Sequence, residues 1–255
     1  MDSSSKFFSI MVIGDNPDEL MSKYDMNLLV EPYIKYRYTD AKKIRQNALK
    51  VIEEVLKNPK AFSLNEFQID YFTNRKKIIN NMSPFEYYQM ITEGMYYDDE
   101  GNAMSQENPN GKWLTYRLGK NFSLPLKLQN GNETYQALNN EIDWEHMNMQ
   151  NTKTYEIVWD LVHGNREPRS EEEERIYNNM KDKMNYFSNF KDKDTYVVYN
   201  CSYWNYAYLD KNGWKDVDDN GDEIKWITNF YKDYIENLQP NDKVTIYECS
   251  KKTIL

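Results

Sequence analysis

Asp210-Lys211-Asn212-Gly213 breaks a Tyr-, Val- and Trp-rich run over residues 195–209, and Trp214 begins the return. A turn of this kind between two apolar runs is a hairpin signal, because Asn and Gly tolerate the positive φ of tight turns. Residues 195–209 therefore read as a strand, bent near Cys201. Downstream, Ile224, Ile227, Tyr231, Tyr234, Ile235 and Leu238 recur at helical spacing and stop before Pro240. Residues 243–249 then read as a closing strand. Hairpin, helix, strand is an α+β layout, with helices packed on one face of a largely antiparallel sheet.

Working outward, Phe7-Phe8-Ser9-Ile10-Met11-Val12-Ile13 reads as a buried strand. Asn16-Pro17-Asp18-Glu19 looks like a helix start: a capping side chain, a proline where no N–H is needed, and an acid in the first turn. Tyr33 to Tyr38 alternates as a strand would. Asp40 can cap a helix whose Ile44, Ala48, Val51, Ile52, Val55 and Leu56 share one face, and Pro59 ends it. Ser83-Pro84-Phe85-Glu86 is a capping box, with Gly94 as the stop. Residues 113–118 and 123–128 read as two strands around Gly119, Pro125 implying an edge. Residues 155–162 fit strand or helix, and Ser170 with its four glutamates opens a helix. No repeat or low-complexity linker divides the chain. The expectation is a single α+β domain over residues 1–255, with residues 1–95 as an N-terminal half and residues 96–255 carrying the motifs below.

Composition excludes several classes. At 255 residues, 40% hydrophobic and 15% aromatic, the chain can bury a core. A net charge of −9 argues against binding of duplex nucleic acid, which needs a basic face, although two or three local donors suffice to hold a phosphate. The 22 tyrosines serve either as core in an A/T-leaning coding sequence or as stacking surfaces for a base or sugar. Cys201 and Cys249 match no ligand spacing and read as buried thiols of a reducing compartment. The apolar run at Phe7 to Ile13 is too short to span a membrane, so the expected location is cytoplasmic.

Catalytic signatures are missing from the sequence. Asp216-Val217-Asp218-Asp219-Asn220-Gly221-Asp222 resembles the start of a calcium loop, but position twelve is Ile227 where a bidentate glutamate is required. It reads as an acidic loop ahead of the next helix. His146 and His163 have no partner at metal spacing, so no metal and no cofactor is expected. Asp143, Glu145 and His146 could supply a general base, or could simply be a polar patch beside Trp144. Arg75-Lys76-Lys77, next to Tyr71 and Phe72, is the densest cationic spot and reads as an exposed turn or as a phosphate neutraliser.

One segment concentrates recognition chemistry. Asn108-Pro109-Asn110-Gly111-Lys112-Trp113-Leu114-Thr115-Tyr116-Arg117-Leu118-Gly119 throws a polar turn into a run of cations and aromatics. Arg117 is one of only seven arginines, and its planar fork suits a phosphate or carboxylate as well as an internal salt bridge. If this run is a strand, Lys112 and Arg117 point to opposite faces unless a bulge intervenes. Together with Ile142-Asp143-Trp144, Tyr196-Val197-Val198 and Gly213-Trp214, in that order, the segment resembles a family of proteins encoded in bacteriophage genomes. That family carries Asn-Pro-x-x-Lys-Trp-x-x-Tyr-x-x-Gly-Gly-x-Trp, a later Asp-Trp and a Gly-x-Trp turn. The likeness covers residues 95–255 and departs at Gly119-Lys120-Asn121-Phe122, where the family has Gly-Gly-Arg-Trp.

The resemblance implies a phage accessory protein acting in the bacterial host cytoplasm. The leading expectation is capture of a small anionic nucleotide-like ligand, such as a bacterial immune signal, by an anti-defence sponge. Its base would stack on Trp113, Tyr116 or Trp204, and its phosphates would meet Lys112, Arg117 and Lys120. The alternatives are a virion-structural or host-protein-binding module, with homo-oligomerisation compatible with either, and a nucleotide-cleaving enzyme using Asp143, Glu145 or His146.

Overall fold

The computed structural model describes residues 6–62 and 64–251. The chain divides into two compact units, one of Met1–Leu28 with Pro109–Leu255 and one of Leu29–Asn108. The boundaries between them fall at 28/29 and 108/109. The strands Leu29–Tyr36 and Ala103–Glu107 pair with each other and close the smaller unit on itself.

Lys243–Lys251 is an interior strand of the larger unit's sheet. Lys6–Ile13 runs antiparallel to it, from Lys6 opposite Lys251 to Ile13 opposite Val244. Ala207–Asp210 lies parallel on the far side of Lys6–Ile13, and Gly213–Asp216 forms the edge, completing the expected hairpin. On its other side Lys243–Lys251 pairs with both Thr115–Leu118 and Gln136–Leu138. Strand alternation sends Met11, Ile13, Val244 and Ile246 to one face, against Trp226, Ile227 and Phe230 of the helix Glu223–Phe230. Phe8, Ile10, Val12, Tyr247 and Cys249 point to the other, where Met21 of the helix Pro17–Ser22 and Trp113 join them. The class is α+β as expected, with cover on both faces.

Two strand expectations give way. Lys193–Cys201 is a helix: Asp192 caps it by accepting the Thr195 N–H, and Tyr196, Val197 and Cys201 bury in one cluster with Val158 and Val162 of the helix Thr152–Val162. The strand starts only at Ala207. Tyr and Val favour strands only weakly, and packing overrides them here. Nor do residues 113–118 pair with 123–128. Thr115–Leu118 joins Lys243–Lys251, while Leu126–Lys127 pairs with Glu133–Thr134.

The smaller unit carries a sheet in the order Leu29–Tyr36, Ala103–Glu107, Tyr96–Tyr97, and the helices Ala41–Lys57, Glu66–Asn81 and Pro84–Ile91. Ile52, Ile79 and Tyr87 form one core with Ile44, Ala48 and Leu56, and Ala41, Tyr88 and Ala103 form another. Val51, expected on the buried face, is exposed. The Ser83 capping box forms, whereas Asp40 stands at its helix start without a side-chain cap bond. Among the described residues, no helix is long and apolar enough to cross a membrane.

Candidate functional site

The segment singled out in the sequence lies beside the central strand, with Arg117 directly opposite Glu248. Glu248 is 3% exposed. Its Oε2 accepts Arg117 Nε at 3.0 Å and Nη2 at 2.9 Å. Its Oε1 accepts the backbone N–H of Lys120 at 2.9 Å and of Ser123 at 3.1 Å, together with those of Asn121 and Phe122. The loop after Gly119 thus wraps an anion that the protein itself supplies. Burial alone would raise the Glu248 carboxyl. The N–H groups of Phe122, Lys120 and Ser123, with the Arg117 guanidinium, outweigh it and bring the carboxyl down to about 2. Gly119 is required for this approach, since a Cβ there would fall onto Ser123 Oγ and the Tyr135 ring.

Lys112 and Trp113 belong to the opposite face. Trp113 is 0% exposed and packs among Tyr24, Tyr116 and Trp214, with ring centroids 5.6 to 6.1 Å away. Its Nε1 has no hydrogen-bond partner. Lys112 Nζ sits 3.5 Å from Oδ2 of buried Asp216 and 5.9 Å from the centre of the Trp214 ring. Trp214 Nε1 donates to the same carboxylate oxygen at 2.7 Å. The stretch expected as an acidic loop instead holds a short helix, Val217–Asn220, that follows buried Asp216, and Asp222 caps Glu223–Phe230. The side chains of Asp219 and Asn220 lie outside the described residues.

The six expected ligand residues do not converge. Lys112, Trp113 and Tyr116 join the aromatic cluster on one face of the sheet, while Arg117 and the backbone of Lys120 bind Glu248 on the other. Trp204 packs half-buried against the cluster on the Glu248 side. A base stacked on Trp113 would have to displace Tyr24 or Trp214. A phosphate at Arg117 would have to compete with Glu248.

Of the expected acid–base residues, Asp143 has a structural role. Asp143 caps a helical turn by accepting the His146 N–H at 2.9 Å, and His146 Nε2 lies 3.4 Å from Lys127 Nζ. His163 stacks on Trp159 with centroids 3.8 Å apart. Both cysteines are buried and free, and burial pushes both thiols up, away from the thiolate form. Among the described residues no group of three or more His, Cys, Asp or Glu could hold a metal.

A second apolar face lies on the helix Glu66–Asn81. Phe72 and Ile79 turn one side of it into the core, while Phe67, Tyr71 and Ile78 recur on a second side and are exposed, Phe67 by 81%. At 100° per residue these three fall within about 40° of one another, and Arg75 and Lys77 flank them. Lys76 instead pairs with Glu53 at 3.0 Å. Spacings of four and seven between residues 67, 71 and 78 were readable in the sequence, but the buried stripe through 72 and 79 overlies them.

No family model matches the chain, and no curated protein and no solved structure shows a significant match to it.

Proposed function

We propose that this chain is a non-catalytic binding protein that engages a partner protein through the helix Glu66–Asn81 of its smaller unit. The observation that carries this reading is the second apolar stripe, Phe67, Tyr71 and Ile78, on a helix whose first stripe already fills a core. A surface helix normally turns its apolar stripe to the core, and a further apolar face left exposed is one that a hydrophobic groove on a partner can take. The wider surface agrees. Of nineteen large hydrophobics exposed among the described residues, ten lie in residues 29–108, less than a third of the chain. That stretch is also near charge balance, with eleven Lys and Arg against twelve Asp and Glu, so the acidity of the protein belongs to the other unit. Arg75 and Lys77 beside the stripe select an apolar groove with acidic rims.

The resemblance to phage-encoded proteins directs the search to bacterial extract. Full-length protein and the triple variant Phe67→Ser, Tyr71→Ser, Ile78→Ser are compared for retained proteins, with folding checked by circular dichroism. Each anchor contributes on the order of 1–3 kcal/mol to a helix-groove interface, so the variant loses at least tenfold in affinity for whatever the native chain holds. Identical retention by both proteins sinks the proposal. A native homodimer that the variant breaks would make the stripe a self-association face instead. Native mass spectrometry after exposure to mono-, di- and cyclic nucleotides tests the competing proposal of nucleotide capture. A nucleotide mass retained by the native chain and lost in Arg117→Ala would reinstate it.

A further inference from the structure

Four aromatic rings of the smaller unit surround a cavity of about 250 Å³: Tyr38, Phe85, Tyr88 and Tyr97, with Gln89, Glu100 and Gly101 completing the lining. Tyr88 is the buried ring, and its hydroxyl accepts the Ala103 N–H at 2.8 Å and lies 3.0 Å from the carbonyls of Tyr36 and Gly101. Tyr38 stands edge-on to both Tyr88 and Phe85, with centroids 5.6 and 5.9 Å away and interplanar angles of 84° and 82°. The Tyr97 hydroxyl is tied to Thr92 Oγ1 at 2.8 Å. Phe85 is fixed at the start of its helix by the Ser83–Glu86 capping box. Gly101 takes φ +78°, and a Cβ placed there would stand 4.0 Å from the Tyr38 side chain. These hydrogen bonds set the Tyr88 and Tyr97 rings in place before any ligand arrives.

The lining contains one acidic side chain, Glu100, and neither lysine nor arginine. Tyr38, Phe85 and Tyr97 are each about half exposed, an unusual state for three rings grouped around one hollow. Ring faces carry negative electrostatic potential, so several aromatic walls with one acid at the rim favour a bulky, weakly hydrated cation over an anion or a neutral guest. We infer that this pocket binds a methylated ammonium group, with Tyr38, Phe85 and Tyr97 contacting the methyls over a floor of Tyr88, and Glu100 supplying the countercharge. The site does not depend on the partner-protein reading, because a free small cation can occupy it.

The test titrates full-length protein with choline and, separately, with 3,3-dimethylbutan-1-ol, the uncharged carbon analogue of choline. Binding is followed by calorimetry and by the aromatic ring resonances. Saturable choline binding is expected, with the alcohol weaker by roughly three- to thirty-fold, the range of a partly desolvated cation–π site. Glu100→Gln, a change on an exposed loop, should weaken choline several-fold and leave the alcohol unchanged. Phe85→Leu should weaken both. A peptide carrying trimethyllysine, set against its unmodified form, identifies the source of the cation. Tighter binding than choline means that a partner presents it, and weaker binding means a free metabolite. Equal affinity for choline and the alcohol, or no shift of the ring resonances with either, overturns the inference.

Discussion

Glu248 shows how one side chain can absorb what looked like a ligand site. A buried carboxylate stripped of its donors is expensive, and so are N–H groups stripped of their acceptor. Glu248→Ala should therefore cost about 3–5 kcal/mol in chemical denaturation, while Glu248→Gln, which keeps the shape, costs about 1–3 kcal/mol. A loss under 0.5 kcal/mol for the alanine variant would show that the loop closes without its anion. The pH dependence follows from the same contacts. The folded carboxyl titrates near 2 and the unfolded one near 4.5, so its stabilisation is complete above about pH 4.5 and drains away as pH falls toward 2. Equilibrium unfolding between those limits should show the drop in the native chain and a shallower one in Glu248→Gln. Gly119→Ala tests the other side of the loop. The added methyl must push Ser123 or Tyr135 aside, at about 1–3 kcal/mol, although the backbone there is ordinary.

Among the elements, the helix Lys193–Cys201 is the one that local sequence concealed. Tyr196 is 0% exposed and contacts Tyr155, Trp159, Tyr186, Phe187 and Phe190, yet its hydroxyl has no hydrogen-bond partner. Tyr196→Ala should cost about 3–5 kcal/mol. Tyr196→Phe should be neutral or stabilising by up to about 1 kcal/mol, because it removes a buried polar group without a partner. A clearly destabilised phenylalanine variant would mean that the hydroxyl finds a bound water. Elements announced by turn and cap chemistry were legible beforehand: the hairpin at Asp210–Gly213, the Ser83 and Ser170 helices, and the run at Phe7 to Ile13. Residues 195–201 were not, since their strand-favouring side chains are held helical by partners some forty residues earlier. The same limit applied to Arg117. Its chemistry was readable, but its partner lies 131 positions away, and only the strand register reveals it.

At the scale of the whole molecule, residues 29–108 behave as an insertion into the larger unit. Asp25 forms a bridge with Trp113, Met26 N–H donates to the Trp113 carbonyl at 2.8 Å, and Asn27 Nδ2 donates to the Leu114 carbonyl at 2.8 Å. These bonds pin the two ends of the insertion side by side. Replacing residues 29–108 with a short Gly/Ser linker should leave a larger unit that unfolds cooperatively with its near-UV circular dichroism intact, since closing a short loop between adjacent ends is inexpensive. A molten product would show that the units depend on each other. The register of Lys6 with Lys251 has a further consequence, for biosynthesis. The first strand leaves the ribosome early and must wait for residues 243–251 before its antiparallel neighbour exists. The smaller unit finds all its strand partners within one contiguous stretch and can fold during translation. A message truncated before Lys243 would thus release a chain with one finished unit and one that cannot assemble, its apolar first strand left to the cell's chaperones and proteases.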